Sequence, residues 1–375
     1  MKVCILSMQR IDNMGSLLQA YALKNMIERY VKDKVEFIDI LRIEDDYNLL
    51  GDFSLDFKKE VEKTGFVGRL SKIDKYLLNR IRIRAREKEQ RALFEEFRNN
   101  YLELFNKSDE YDLCVIGSDE VFNCLNAGAW GFTTQLFGNV KEAKQVITYA
   151  ASCGATCIND VPKKIQARIQ ASFGNIRNIS VRDKNTYEFV TALTNKKVVE
   201  NLDPVIVYDF SKEMDREEFP GNYKDYCIVY SYRNRIYRQN EIRSILNFCK
   251  NNRLHPVAVG APQAWIKDFA VCNPFQCMKL FEKASFVITD TFHGTIFSFK
   301  YAKKFAIMLR DSNQNKLSDL VNRLMLQEHL ISSFEELPSK ILIEKDCNLT
   351  KKITANGRSN AENYLKENLC LDGKF

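Results

Sequence analysis

Short apolar runs alternate along this 375-residue chain with stretches in which apolar positions recur every three to four residues. The first run, KVCILSM (residues 2–8), has strand length and no polar alternation. That is the pattern of a strand covered on both faces. SLLQAYALKNMIERYVK (16–32) then places Leu23, Met26, Ile27, Tyr30 and Val31 on one helical face, and KVEFIDI (34–40) returns to strand. A strand, a helix and a strand in this order imply a parallel pair with a right-handed crossover. DLCVIGS (112–118), QVITYAAS (145–152) and NISVRD (178–183) continue the strands, and KKVVENLDPVIVY (196–208) closes the first series.

The pattern then restarts. YCIVYSY (226–232), HPVAVGA (255–261), SFVITDT (285–291) and FAIML (305–309) are strands. Between and after them, NEIRSILNFCKNN, NPFQCMKLFEKA, GTIFSFKYAKK and NKLSDLVNRLML have helical period. Asn273 and Pro274 form an N-cap and first-turn pair. Two successive β/α series predict an α/β protein of two doubly wound, Rossmann-like domains with the site in the cleft between them. Residues 1–210 form the first domain and 211–330 the second. Residues 331–375 are a partly helical tail expected to pack back on the first domain. The hinge is expected between Asp203 and Gly221, where Pro204, Pro220 and Gly221 cluster.

Residues 44–105 interrupt the first series as a helical, initially basic insertion. Leu70, Ile73, Leu77 and Ile81 recur at helical spacing, with Lys72, Lys75, Arg80 and Arg82 among them. This pattern is either a solvated helical face or an element that touches anionic lipid headgroups.

Net charge is +7. Such a surplus suits anionic small molecules or anionic lipid, and it lacks the dense basic footprint of a nucleic-acid binder. The N-terminal apolar run is too short for a signal peptide, and no run is long enough to span a bilayer, so a cytoplasmic location is expected. The eleven cysteines are scattered, many within apolar runs, and read as buried thiols; no metal site is expected. Walker A, GxGxxG, HExxH and GxSxG patterns are absent from the sequence.

In an open parallel sheet, ligands sit beyond the carboxyl ends of the strands. After the first strand come Asn13, Gly15 and Ser16, where a helix start favours an anion; Asn13 and Ser16 serve equally well as caps. Ser118 and Asp119 follow the third strand, with capping and catalytic roles both open. Arg182 can grip a carboxylate or phosphate with its planar fork, or pair with a structural acid such as Asp183. In DTFHG (290–294), His293 stands at a strand-to-helix junction, which suits an acid whose protonation is coupled to an anionic ligand. The other histidines, His255 and His329, read as structural or surface residues.

The ordered pieces IDNMGSLLQAYAL, YDLCVIGSDEVFN, ITYAASCG, ISVRDKNT, NLDPVIV and KASFVITDTFHGTIFSFKYAKKFAIM together resemble the polysaccharide pyruvyl transferase family. Phe122 stands where members commonly carry Trp, and Thr291 where many carry Ser. The resemblance implies a fold similar to that of GT-B-type glycosyltransferases. It implies phosphoenolpyruvate as donor, no further cofactor, and a sugar or lipid-linked oligosaccharide as acceptor, pyruvate being transferred as a ketal onto two hydroxyls. On this resemblance His293 is the general acid, Arg182 holds the donor, Gly294 and Thr295 offer N–H groups to phosphate, Asp119 is the base or orients the acceptor, and Asp290 orients His293 or Arg182. A nucleotide-sugar glycosyltransferase on the same fold and a non-catalytic scaffold in polysaccharide assembly are the alternatives.

Overall fold

Every residue of strand β1 (Val3–Leu6) is buried, as its unbroken apolar run requires. Around it the computed structural model builds a parallel sheet in the order β2-β1-β3-β4-β5-β6, with β2 at Glu36–Ile38, β3 at Tyr111–Asp119, β4 at Ala143–Ala151, β5 at Ile176–Val181 and β6 at Val198–Glu200. A second parallel sheet follows in the order β12-β11-β10-β7-β8-β9. Its strands are β7 (Tyr226–Tyr230), β8 (His255–Val259), β9 (Asp268–Ala270), β10 (Phe286–Thr289), β11 (Phe305–Met308) and β12 (Leu330–Ile331). The structure describes residues 1–50, 73–104, 108–125, 130–233, 235–310 and 314–370, with the backbone alone at 73–81 and 315. Two six-stranded Rossmann-like domains are thus present, and the edge strands β9 and β12 are additions to the pattern read from sequence.

Each sheet has one point where the chain reverses its direction of travel across the strands. In the first sheet it lies between β1 and β3, in the second between β7 and β10. Loops leaving such neighbouring strands diverge to opposite faces and open a crevice at the carboxyl edge.

Three local readings change. KKVVENLDPVIVY is not one strand. Only Val198–Glu200 pairs in the sheet, and Pro204–Val207 is a helical turn capped by Asp203, whose carboxylate accepts from Val205 N at 2.9 Å. The Met14–Glu28 helix buries far more than one face, Leu17, Leu18, Ala20, Ala22 and Leu23 being wholly covered. It lies between its own sheet and the Pro204–Val207, Pro274–Lys283 and Phe292–Tyr301 helices, so only Tyr21, Asn25 and Glu28 remain partly exposed along it.

The insertion is the third. Leu70 and Lys72 lie outside the described residues, as do the side chains of Ile73, Lys75, Leu77, Arg80 and Ile81. Beyond them the Ile73–Phe97 helix bridges the domains rather than standing free in solvent. Gln90 forms an amide-like pair with the backbone of Cys272, at 2.8 and 3.2 Å, and Glu87 meets Arg233 at 2.8 Å. Arg82 donates to Lys267 O at 2.8 Å. The helix continues into a π-turn where buried Arg98 grips Gln9 O, Arg10 O and Asp12.

One apolar core runs through the junction and holds residues of both sheets' helices, including Leu18, Tyr208, Phe275 and Phe297. Tyr21, Phe97, Tyr101 and Phe275 meet there edge-on or tilted, with centroids 4.9 to 6.0 Å apart. The Cys347–Leu369 helix returns to the first domain. Its Tyr364 hydroxyl donates to Thr148 O at 2.8 Å and stands 3.2 Å from Asn178 O, and Asn368 meets Asn178 at 2.6 Å. The described residues hold no helix long and apolar enough to cross a membrane.

Tyr364 tests this return crossing. Tyr364→Phe keeps the ring and removes the buried donor, and it should lower stability by about 1 kcal/mol, read as a reduced urea midpoint.

Candidate active site

The two crevices face each other across a cavity of about 230 Å³. From the first domain come Met8, Ile11, Asn13 and Ser16 after β1, Asp119 and Glu120 at the end of β3, and Arg182 after β5. The second contributes Tyr232, Phe292, His293 and Lys316.

Arg182 organises the floor. Its Nη1 donates to Asp203 Oδ2 at 2.8 Å and its Nη2 to Asp119 Oδ1 at 3.4 Å. The Phe292 ring lies 4.2 Å from the guanidinium carbon. Asp119 adopts a left-handed backbone (φ 75°), uncommon outside glycine, and its other oxygen accepts from Ser16 Oγ at 2.7 Å. Asp203 also lies 3.4 Å from Ser118 Oγ. Burial alone would raise the Asp203 pKa; the nearby His293 and Arg182 outweigh burial and hold it at about 2. Glu120 is likewise held at about 2 against burial, chiefly by Lys316, which pairs with it across the cleft.

His293 is the second residue of the Phe292–Tyr301 helix, whose N-cap is Thr291. Its Nε2 lies 3.7 Å from Asp203 Oδ2, beyond hydrogen-bond reach. Among the described residues, His293 Nε2 and Arg182 Nε are buried without hydrogen-bond partners. The ring packs so closely on the Met14–Glu28 helix that a Cβ at Gly15 would fall 2.0 Å from His293 Cγ. Gly15 is therefore a contact between domains.

Several of the candidate residues are engaged within the protein itself, Asn13 in the capping role also open to it. Asn13 caps its helix by accepting from Gly15 N at 2.8 Å. Gly294 N donates to Thr291 Oγ1 at 3.0 Å and Thr295 N to Thr291 O at 3.1 Å, so neither N–H is left for a phosphate. Asp290 pairs with Arg310 at 3.1 Å, and Asp203 stands where Asp290 was expected, beside both His293 and Arg182. Ser118 lies wholly buried behind the floor, its N–H on Gln19 Oε1 at 3.1 Å. His255 pairs with Asp268 on the surface, and His329 stacks on Phe305 in the core. Phe122 stacks on Phe137 at 5.2 Å in the core of the first domain.

Asp203, Glu120, Phe292 and Lys316 are the additions. Asp203 carried a signal, an Asp before Pro at a helix start, and Glu120 adjoins Asp119. Lys316 carried none, since it reaches the cavity from a helix read for its apolar face.

The polysaccharide pyruvyl transferase family model matches residues 13–312, which include Ser16, Asp119, Arg182, Asp203 and His293. The chain belongs to the polysaccharide pyruvyl transferase family. Comparison with curated protein sequences returns no match. Among solved structures, UDP-N-acetylglucosamine 2-epimerase from Rickettsia bellii aligns with TM-score 0.51 and 11% identity, covering 98% of this chain and 96% of that one. The Methanocaldococcus jannaschii UDP-GlcNAc 2-epimerase aligns with TM-score 0.50 and 10% identity, covering 98% and 99%. At such identity the likeness is one of fold.

The Asp203 carboxylate generates a pH prediction. Its pKa lies below the unfolded value, so its stabilisation is complete above about pH 3.8 and is lost as pH falls towards about 2. Asp203→Asn should flatten that acid limb in denaturation midpoints measured across the interval. It should also cost about 3 kcal/mol near neutrality, because Arg182 loses a buried counter-ion.

Proposed function

We propose that this member of the family transfers the enolpyruvyl carbons of phosphoenolpyruvate onto two hydroxyls of a sugar as a cyclic ketal, releasing phosphate. The observation that carries this reading is the unpartnered, buried Nε2 of His293 in a cavity that also holds Arg182 and Lys316.

Taken as formal charges, Arg182 and Lys316 balance Asp119 and Glu120 across the cavity. A multiply charged donor entering it places negative charge beside the His293 ring. The donor also competes with Glu120 for Lys316 and meets the Arg182 guanidinium at the cavity wall. The imidazolium gives its proton to the enol CH2, which becomes CH3, and C2 becomes electrophilic. One sugar hydroxyl adds to C2 and loses its proton to Asp119, and the C2–O bond to phosphate breaks with the electron pair leaving on phosphate. The second hydroxyl then adds to C2 and gives its proton to the neutral imidazole, which restores the imidazolium, while Asp119 passes its proton to the departing phosphate. Asp203 keeps the imidazolium and Arg182 in register from behind. No redox or metal chemistry is needed for this balance.

The acceptor is proposed as a cell-surface polysaccharide unit or its lipid-linked precursor, reached at the inner membrane face. Support for the membrane contact comes only from the basic helical insertion, and liposome flotation with anionic lipid at low salt tests it.

Phosphoenolpyruvate should raise the melting temperature more than pyruvate or phosphate at equal concentration. At about 100 times its dissociation constant a ligand adds about 2.7 kcal/mol. His293→Ala should cut phosphate release by about 10²–10⁴-fold with the donor-induced shift largely kept; near-normal release would remove His293 from the acid role.

Gly15→Ala separates placement from chemistry. The new methyl group displaces the imidazole, so phosphate release should fall by at least about tenfold while every ionisable group remains. Unchanged turnover would mean that the position of His293 is not limiting.

A further inference from the structure

We infer that a second cavity, adjoining the first along Met8 and Ile11, is the acceptor subsite and takes one neutral sugar ring against Trp130. This inference rests on the transferase reading. The cavity has a volume of about 220 Å³ and is lined by Ser7, Met8, Arg10, Ile11, Asp39 and Trp130, among others. Met8 and Ile11 also line the cavity that holds Arg182 and His293, so an occupant of one stands beside an occupant of the other.

The two cavities differ in chemistry. The first is lined by two cations, Arg182 and Lys316, together with the His293 imidazole. In the second, the cation is already neutralised: Arg10 meets Asp39 through two hydrogen bonds, at 2.9 and 3.3 Å. An anion gains little from a guanidinium so paired. A polyhydroxyl ring gains from both partners, because Arg10 offers donors and Asp39 acceptors in one plane. The apolar C–H face of a pyranose suits the negative face of an indole. One aromatic wall with a few convergent polar groups is the composition of a small-molecule pocket.

Trp130 is also held in place. The residue after it, Gly131, has a left-handed backbone (φ 59°), and a Cβ there would fall 2.6 Å from the Tyr47 ring. Tyr47 is covered from its own side by the Arg42 guanidinium, 3.5 Å from its centroid. Beneath, Trp130 packs against the core of the first domain. The indole thus lines the cavity with packed side chains behind it, so little ordering is required when a ring stacks on it.

The chain has two tryptophans, and the other, Trp265, belongs to the second domain, where it donates to Ile236 O at 3.0 Å. Trp265→Phe leaves Trp130 as the sole indole reporter. This variant, saturated with phosphoenolpyruvate, is titrated with methyl β-galactopyranoside, methyl β-glucopyranoside and methyl N-acetyl-β-mannosaminide. At least one glycoside should change the fluorescence saturably, and Asp39→Asn in the same background should weaken that response. In Trp130→Ala the KM for that glycoside, read by phosphate release, should rise about tenfold while the donor-induced melting shift stays. No fluorescence response to any of the three, or an unchanged KM in Trp130→Ala, overturns the subsite. A saturable response without phosphate release leaves the subsite standing and removes the transferase reading, so the two failures are distinct.

Discussion

A guanidinium buried between two carboxylates is the constraint on which the centre of this molecule depends. Arg182 is 4% exposed, and removing such a charge from water is tolerable only with its counter-ions in place. One counter-ion, Asp119, ends a strand of the first sheet; the other, Asp203, caps the turn that begins the passage to the second. The charge therefore fixes both the end of β3 and the start of the interdomain connection. Asp203 in turn brings His293 within 3.7 Å, so a residue of the second domain is placed by a charge in the first.

The strand series was legible because wholly buried parallel strands leave unbroken apolar runs, and the helices between them keep their period. β9 and β12, with three and two residues, are too short to leave a run. The Met14–Glu28 helix was misjudged for a different reason: its extra burial comes from the second domain, and one helix's periodicity does not report what arrives from elsewhere. That His293, Arg182 and Asp119 line one cavity was legible because each lies at or just beyond the carboxyl end of a strand, where ligands of such sheets collect.

Asp290 and Asp203 show where that reasoning stops. Asp290 is three residues from His293, yet its carboxylate turns to Arg310; Asp203 is ninety residues away and lies against the ring. Asp290 precedes the helix cap and His293 lies within the helix, so the two side chains leave the junction in different directions and proximity along the chain is a poor guide to partnership. The N–H groups of Gly294 and Thr295 failed similarly, since Thr291 satisfies both before any ligand arrives. Lys316 depends wholly on how the domains meet.

The return of the Cys347–Leu369 helix has a mechanical consequence. The chain passes between domains at the Asp203 turn and again ahead of this helix. The returning helix lies beside the first passage, with Gly357 against Leu202 and Arg358 donating to Val207 O at 3.0 Å. The two crossings thus form one seam, braced like a doubled stitch, and the turn that Asp203 caps lies along it. With the Ile73–Phe97 helix joining the domains elsewhere, sliding of one domain past the other has to break contacts at more than one place.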